Sequence, residues 1–131
     1  MEPVTRGAHH VGLTVRDVEQ ASAFFVEALG FDVVGRKPAY PAVFVSDGTL
    51  MLTLWQAEEG ARSFDRCRSL GLHHLALRVP GDVALDRAVR ALGERDDVRM
   101  EFGPEPLGDT GLRHAMLDVQ DIVRLELVAA P

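Results

Sequence analysis

The sequence contains one pattern twice. The first copy begins at His9 with His-His-Val-Gly-Leu-Thr-Val, and the second begins at His73 with His-His-Leu-Ala-Leu-Arg-Val. In each copy an Asp-Val pair and an Ala-rich amphipathic stretch follow, and the stretch ends in Ala-Leu-Gly, at Gly30 and at Gly93. Because the histidines recur at matched positions, the duplication predicts a pocket built between two similar halves, with one imidazole from each.

Length and composition limit the chain to one domain of ordinary globular type. It has 131 residues, of which 47% are hydrophobic and 26% are charged, so it is long enough for one core and too short for two independent domains. The formal net charge of -6 argues against nucleic acid and membrane as partners, because both carry negative charge. No apolar run approaches the roughly 18 residues of a membrane span, and the first residues lack the apolar stretch of a signal peptide. The single cysteine, Cys67, fits a reducing compartment, and we expect a cytoplasmic protein.

Alternating and helical patterns give the first half the order strand, helix, strand, strand, strand. Residues 9–16 alternate as a half-buried strand does. Asp17 is the expected N-cap of the helix, and Gly30 is placed to end it in the left-handed conformation. The later strands are expected at about 31–37, 41–46 and 49–56, with a tight Asp47–Gly48 hairpin between the last two.

The second half repeats this order after a linker at about 58–71. A strand at 73–79 leads to Asp82 as the expected N-cap of a helix whose core positions begin at Val83. The Gly/Pro-rich stretch 103–111 is predicted to be a mobile loop without regular structure. The remaining strands are expected near 98–102, 112–118 and 122–129. The prediction is a single α+β domain of residues 1–131, with module one at about 7–57 and module two at about 72–131.

Strand register places three side chains of metal-binding type on the sheet face opposite the buried series. The Leu-x-Leu pattern around Glu126 leaves this carboxylate opposite the buried series, and the first strand of each module leaves His10 and His74 on the corresponding face. Two neutral imidazoles and one carboxylate are a donor set for divalent first-row metals. A single His on a strand is more often solvated or hydrogen-bonded. Its occurrence at both matched positions, with a Glu among apolar neighbours, favours a metal site. The adjacent His9 and His73 fall on the other face, where a structural role is expected.

These motifs together resemble the vicinal oxygen chelate superfamily, also called the glyoxalase/bleomycin resistance/dioxygenase superfamily. The resemblance covers almost the whole chain. It implies two tandem βαβββ modules that form a curled mixed sheet around a central cleft holding one divalent metal ion and a small substrate. Its usual metal ligands match His10, His74 and Glu126. A homodimer is also implied, and whether the two histidines meet within one chain or across a dimer stays open. The resemblance rests on His10-Val-Gly-Leu-Thr-Val-Arg-Asp-Val, Phe24-Phe25, Leu29-Gly30-Phe31, His74-Leu-Ala-Leu-Arg-Val and Leu125-Glu126-Leu127.

One position departs from part of that family. In glyoxalase I and methylmalonyl-CoA epimerase the last strand of the first module supplies a further Glu or Gln ligand, whereas the matching position here is Thr53. A set of two His and one Glu looks more like that of the fosfomycin-modifying thiol transferases. The resemblance therefore implies a metal-dependent enzyme for a small molecule with vicinal oxygens, and it leaves isomerase, lyase, thiol-transferase and dioxygenase chemistry open. The metal ion that the resemblance implies is Fe, Ni, Zn, Co or Mn. The alternative is a metal-free protein that binds a small molecule or an antibiotic, as in bleomycin resistance.

Other side chains on the same faces are candidates for contact with substrate. Trp55 and Thr53 are expected to line the pocket, with Trp55 stacking on a planar or apolar substrate or simply closing the sheet edge. His114 is the candidate acid/base besides Glu126, although a plain structural role is the simpler reading. Arg78 and Arg124 are the candidates for holding an anionic group.

Overall fold

Each half of the chain folds into one four-stranded mixed sheet and one helix. The computed structural model describes all residues from Met1 to Pro131 and divides into two units, Met1–Ala61 and Arg62–Pro131. The first unit contains β1 (His10–Val15), α1 (Val18–Leu29), β2 (Asp32–Lys37), β3 (Ala42–Ser46) and β4 (Met51–Gln56). The second contains β5 (Leu75–Val79), α2 (Asp82–Gly93), β6 (Val98–Pro106), β7 (Arg113–Val119) and β8 (Val123–Ala129). The predicted α+β class with two βαβββ modules is confirmed.

The two sheets have the same topology. In the first unit the strand order is β1-β4-β3-β2, and in the second it is β5-β8-β7-β6. The first and last strands of each module are parallel neighbours, while the other pairs are antiparallel. Gly12 of β1 lies beside Thr53, and Ala76 of β5 lies beside Glu126. Since Gly12 and Ala76 each follow their module's predicted histidine ligand by two residues, this register confirms that Thr53 and Glu126 are equivalent positions.

Alternation along the strands creates the core of each unit. In β1 and β4 the residues Leu13, Val15, Leu52 and Leu54 are buried, and α1 packs over β3 and β4 on this apolar side. Burying one such side chain stabilises the fold by about 1.5–3 kcal/mol. The second unit has the same plan, with α2 contacting β6, β7 and β8. Its buried residues include Leu75, Leu77, Leu85, Leu92, Leu117, Leu125 and Leu127.

The ends of α1 follow the prediction, whereas the start of α2 does not. The Asp17 carboxylate accepts from the backbone N–H groups of Glu19 and Gln20 at 2.9 and 3.1 Å, and Gly30 ends the helix with φ 74°. Asp82 was expected as the N-cap of α2, but that position belongs to Gly81, with no side-chain capping bond. The chain turns tightly there, because the Gly81 N–H donates to Val79 O at 2.9 Å. Asp82 is therefore already the first helical residue.

Three other expectations are wrong in detail. Val83 is 72% exposed because it lies two positions from the buried Leu85, which in a helix turns it to the opposite side. The stretch 103–111 is not all loop, since β6 continues to Pro106, with a register shift between Phe102 and Glu105 where Gly103 and Pro104 lie. The tight Asp47–Gly48 hairpin is instead a four-residue connection, since β3 ends at Ser46 and β4 begins at Met51, and only Gly48 in it has a positive φ. Asp47 instead uses its carboxylate to accept from the N–H groups of Thr49 and Leu50, both at 2.8 Å.

Connections outside the sheets are held by local polar contacts. Between α2 and β6, Arg95 donates to both carboxylate oxygens of Asp97 at 2.9 and 3.0 Å, and this hydrogen-bonded guanidinium holds the pKa of Asp97 below its ordinary value. In the stretch before β5, Ser63 donates to Asp121 at 3.0 Å. No helix of this protein has the length and apolar character needed to cross a membrane.

Candidate functional site

The Glu126 carboxylate is the centre of the polar cluster in the second unit. The alternation of β8 buries Leu125 and Leu127 on one face and directs Glu126 to the other. Its side chain is nevertheless only 12% exposed. A carboxylate with so little contact with water needs partners to compensate for its lost hydration.

Two imidazoles approach the two oxygens of this carboxylate. His114 Nδ1 lies 2.7 Å from Glu126 Oε2, and His74 Nε2 lies 3.7 Å from Glu126 Oε1. Because an ionised carboxylate can only accept, the short contact places a proton on His114 Nδ1. The other ring nitrogen of His114, Nε2, lies 4.0 Å from Glu105 Oε1. The His114 ring packs against Phe102, with the two ring centroids 5.0 Å apart. The structure thus brings together His74, His114 and Glu126.

The adjacent histidines of the second copy contact each other. His73 Nδ1 and His74 Nδ1 are 2.8 Å apart, and the rings meet edge to face with centroids 5.1 Å apart. A role for His73 as a partner of His74 was not foreseen from strand alternation, although the doubled His-His motif was a signal for it. His74 thus has one ring nitrogen engaged by its neighbour and the other near Glu126.

Arg124 is held by an acidic partner on β6. Its Nε donates to Glu101 Oε2 at 2.7 Å, and the two side chains are 16% and 11% exposed. Glu101 also lies 3.5 Å from Arg66 and 3.6 Å from Arg99. A role for Arg124 in binding an anionic substrate stays a prediction, and its guanidinium is already paired within the protein. No sequence pattern indicated that Glu101 would be this partner.

Arg78 lies on β5 beside Val128 of β8. Its Nη1 donates to the main-chain oxygen of Pro131 at 3.1 Å. The residue is exposed. Its predicted role as an anion contact stays a prediction.

The first unit repeats the paired histidines. His10 opens β1 on the exposed side of the sheet, and its Nδ1 lies 2.9 Å from His9 Nδ1. The centroid distance of 5.2 Å and the edge-to-face geometry match those of the second pair. The duplication therefore extends from sequence to side-chain geometry.

Thr53 stands where the second unit has Glu126, and it has a different partner. The hydroxyl of this buried residue accepts from Trp55 Nε1 at 2.9 Å. Gly12 makes room for this pair, since a Cβ at position 12 would lie 3.2 Å from Thr53 Oγ1 and 3.6 Å from Trp55 Nε1. In the first unit this position thus orients an indole ring rather than supplying a carboxylate.

An aromatic surface surrounds this indole. The rings of Tyr40 and Phe44 have centroids 5.3 and 6.0 Å from that of Trp55. Lys37 Nζ lies 5.9 Å from the Trp55 ring and 6.0 Å from the Phe44 ring, within cation–π distance. Tyr40 is largely exposed, and Trp55 shares its sheet face with His10 by register, so the first unit presents an aromatic surface to solvent on the face that bears His10.

The donors of the second unit suit a divalent ion but do not complete a site alone. In neither unit are three His, Cys, Asp or Glu side chains grouped so that they could hold a metal ion. Metal–ligand distances to imidazole and carboxylate are about 2.0–2.2 Å, so donor atoms 3.7 Å apart, as in His74 and Glu126, can contact the same ion. His10 as a further ligand stays a prediction.

Comparisons with known proteins match nearly the whole chain. A family model described as the Glyoxalase/Bleomycin resistance protein/Dioxygenase superfamily matches residues 7–126. The uncharacterized protein YwkD of Bacillus subtilis is 28% identical over 127 residues, which cover 93% of this chain and 95% of that protein. The glyoxylase/bleomycin resistance protein/dioxygenase domain from Frankia sp. is similar in structure, with a TM-score of 0.81, 24% identity and coverage of 97% and 93%. Lactoylglutathione lyase from Agrobacterium tumefaciens gives a TM-score of 0.74, 16% identity and coverage of 98% and 96%.

Proposed function

Because the chain belongs to the glyoxalase/bleomycin resistance protein/dioxygenase superfamily, we propose that it is a divalent-metal-dependent enzyme acting on a small molecule with vicinal oxygens. The observation that carries the proposal is the setting of Glu126. Its carboxylate is buried, one oxygen accepts from His114, and the other faces His74 Nε2 at 3.7 Å. A buried carboxylate beside an imidazole is a pair of donors that suits a divalent ion.

The proposed ligands are His74 and Glu126, completed by His10 of the first module. The duplication supports His10, because it occupies the position equivalent to His74 and its Nδ1 is engaged in the same way, by a preceding histidine. In both copies Nε2 is then the ring nitrogen left for a metal. When bound, the ion would supply Lewis acidity to the oxygens of a substrate. Fe, Ni, Zn, Co and Mn all accept this donor set.

His114 is the proposed acid/base residue. Its hydrogen bond to Glu126 Oε2 orients the ring and keeps the proton on Nδ1. Nε2 is then able to take a proton from a substrate carbon or oxygen and return it. Packing against Phe102 limits rotation of the ring. A positioned base of this kind contributes about 10²–10⁴-fold to a rate.

The remaining contacts are proposed to select the substrate. Trp55, oriented by Thr53, offers a ring face to planar or apolar parts of a ligand. Arg78 offers an exposed guanidinium to an anionic group, with one of its nitrogens, Nη1, donating to the main-chain oxygen of Pro131. The substrate that these groups hold determines the type of reaction, which is isomerase, lyase, thiol-transferase or dioxygenase chemistry.

Metal uptake tests the proposal directly. Protein stripped with a chelator and then exposed separately to Mn²⁺, Ni²⁺, Zn²⁺ and Co²⁺ is expected to retain about one ion per chain after desalting, as measured by elemental analysis. The variant His74→Ala is expected to retain far less. Both are made in a Cys67→Ser background, because Cys67 is an exposed free thiol that binds soft metals on its own.

The same measurement separates the two classes of function. Failure of the parent protein to retain any of these ions, or equal retention by His74→Ala, would contradict the metal-dependent enzyme. A stripped protein that binds a planar ligand with quenching of Trp55 fluorescence, and gains nothing from added metal, would instead support a metal-free binding protein.

A homodimer and a cytoplasmic location belong to the same proposal. Members of this family bind small molecules and often form dimers. Sedimentation velocity is expected to show a species of twice the 14.3 kDa chain mass at micromolar concentration. A single species at the mass of one chain would contradict the dimer and leave the proposed metal ligands untouched.

A further inference from the structure

We infer that Arg124 and His73 fix the tautomer of His74, so that its Nδ1 carries the proton and its Nε2 lone pair is presented toward Glu126. The inference rests on the proposed function, because the ion that this lone pair would bind is the one proposed above. The residues involved all belong to the second unit and lie on β6, on β8 and in the segment just before β5.

The direction of the hydrogen bonds follows from the chemistry of arginine. Arg124 Nη1 donates to His73 Nδ1 at 3.3 Å, and a guanidinium has donors but no acceptor. His73 Nδ1 must therefore carry a lone pair rather than a proton. The contact between His73 Nδ1 and His74 Nδ1 at 2.8 Å needs one hydrogen between the two nitrogens, and with Arg124 donating to His73 that hydrogen is on His74. The one lone pair of His73 Nδ1 is then shared, with the shorter contact to His74 and the longer one to Arg124. His74 is thus the Nδ1–H tautomer, which as a neutral ring has its lone pair on Nε2.

Arg124 is held firmly enough to impose this choice. Its Nε is bonded to Glu101 Oε2 at 2.7 Å, and both side chains are largely buried. Glu101 is further neutralised by Arg66 and Arg99 at 3.5 and 3.6 Å. A guanidinium anchored through Nε has little freedom to turn its Nη1 away from His73. One chain of contacts therefore runs from Glu101 through Arg124 and His73 to His74. We call the first three residues the positioning chain.

This chain would prepare His74 for a metal before any metal arrives. A metal-binding imidazole must be neutral with its lone pair on the coordinating atom, and a partner on the other nitrogen fixes this state. His74 Nε2 lies 3.7 Å from Glu126 Oε1. In metal-free protein this carboxylate favours a proton on Nε2, so the positioning chain has to outweigh it to keep the lone pair there. His73 and Arg124 are accordingly positioning residues that act through His74.

The tautomer is measured in metal-free protein by ¹⁵N NMR of the histidine rings. The sample is kept well above the ordinary imidazole pKa of about 6.5, so that the rings are neutral. In the parent protein the His74 Nδ1 signal is expected in the protonated range and the Nε2 signal in the unprotonated range. In Arg124→Met and His73→Phe, a substantial share of the Nε2–H tautomer is expected to appear. His73→Asn is expected to restore the parent pattern, because its side-chain oxygen can accept from His74 Nδ1.

Matched controls separate positioning from loss of fold. His9→Phe removes the corresponding histidine of the first unit and is expected to leave the His74 ring signals unchanged. Backbone amide spectra identify any variant that has unfolded, and the His73→Asn rescue then carries the test. Zn²⁺ affinity, measured by calorimetry, is expected to fall about 10–100-fold in Arg124→Met and His73→Phe, as for other partners of metal ligands.

Failure of this inference is distinguishable from failure of the proposed function. The inference is overturned if His74 carries its proton on Nε2 in the parent protein, or if it stays the Nδ1–H tautomer in both Arg124→Met and His73→Phe. Both readouts are made without metal. A parent protein that shows the expected tautomer and its loss in the variants, yet binds no divalent ion, supports the positioning chain and contradicts the metal-dependent enzyme.

Discussion

Glu126→Gln is expected to weaken divalent-metal binding by more than a hundredfold, which exceeds the 10–100-fold typical of residues that only support a ligand. The substitution preserves size, and the amide oxygen can still accept from His114 Nδ1, which now contacts Glu126 Oε2 at 2.7 Å. What is lost is the negative charge and the second oxygen, which faces His74 Nε2 at 3.7 Å. Calorimetric titration of stripped protein with Zn²⁺ or Mn²⁺ measures the change.

Glu105→Gln is the matched control for this variant. Glu105 Oε1 lies 4.0 Å from the other ring nitrogen of His114, and its side chain is about half exposed. The substitution therefore removes a carboxylate near the same imidazole and leaves the proposed metal ligands unchanged. We expect its metal affinity to stay within about threefold of the parent protein, as for an exposed and weakly coupled charge. Parent-like affinity in Glu126→Gln, or equal losses in both variants, would rule out Glu126 as a ligand.

Strand register was predictable from the sequence because it depends on alternation, which is a local property. The Leu-x-Leu pattern around Glu126 predicted its sheet face, and the duplication predicted that Thr53 is its counterpart. The pairing of β1 with β4 and of β5 with β8 confirms that equivalence. Backbone features that depend on one tight turn were harder to predict from the sequence. The start of α2 moved to Asp82 because Gly81 occupies the capping position.

Side-chain partners were beyond the sequence because they depend on rotamers and on residues far apart in the chain. Alternation alone predicted that His73 and His74 point to opposite faces. However, neighbouring rings at the end of a strand, outside the regular pleat, can still turn their Nδ1 atoms toward each other. Arg124 was predicted as a contact for an anionic substrate, and its partner Glu101 lies on a different strand. A charge pattern in the sequence does not say which arginine an acid will neutralise.

The difference between Thr53 and Glu126 shows how one fold supports two roles at equivalent positions. In the second unit the position holds a carboxylate between two imidazoles. In the first unit a hydroxyl accepts from Trp55 Nε1 and orients an indole, with Gly12 beside it leaving the space. If the proposed function is right, the second module supplies two of the three metal ligands and the acid/base, while the first supplies His10 and an aromatic surface for substrate.

Phe25→Ala is expected to lower the free energy of unfolding by about 3–5 kcal/mol, a large part of the 5–15 kcal/mol available to a typical domain. Phe25 is fully buried, and its ring contacts those of Phe24 and Phe31 with centroids 5.3 Å away in each case. Truncation removes the ring from this cluster and leaves a cavity under α1. Urea unfolding followed by fluorescence of Trp55, the only tryptophan, reports on the first unit.

The duplication supplies the control for this substitution. Phe25 is the eighth residue of α1, and the eighth residue of α2 is Val89, which is only half-buried. Val89→Ala removes two methyl groups from a partly exposed position and is expected to cost about 1 kcal/mol. Equal losses in the two variants would mean that the aromatic cluster adds nothing to the stability of the first unit. The unfolding curves from fluorescence and from circular dichroism can also be compared. If they coincide in the parent protein and separate in Phe25→Ala, the aromatic cluster keeps the unfolding of the first unit coupled to that of the second.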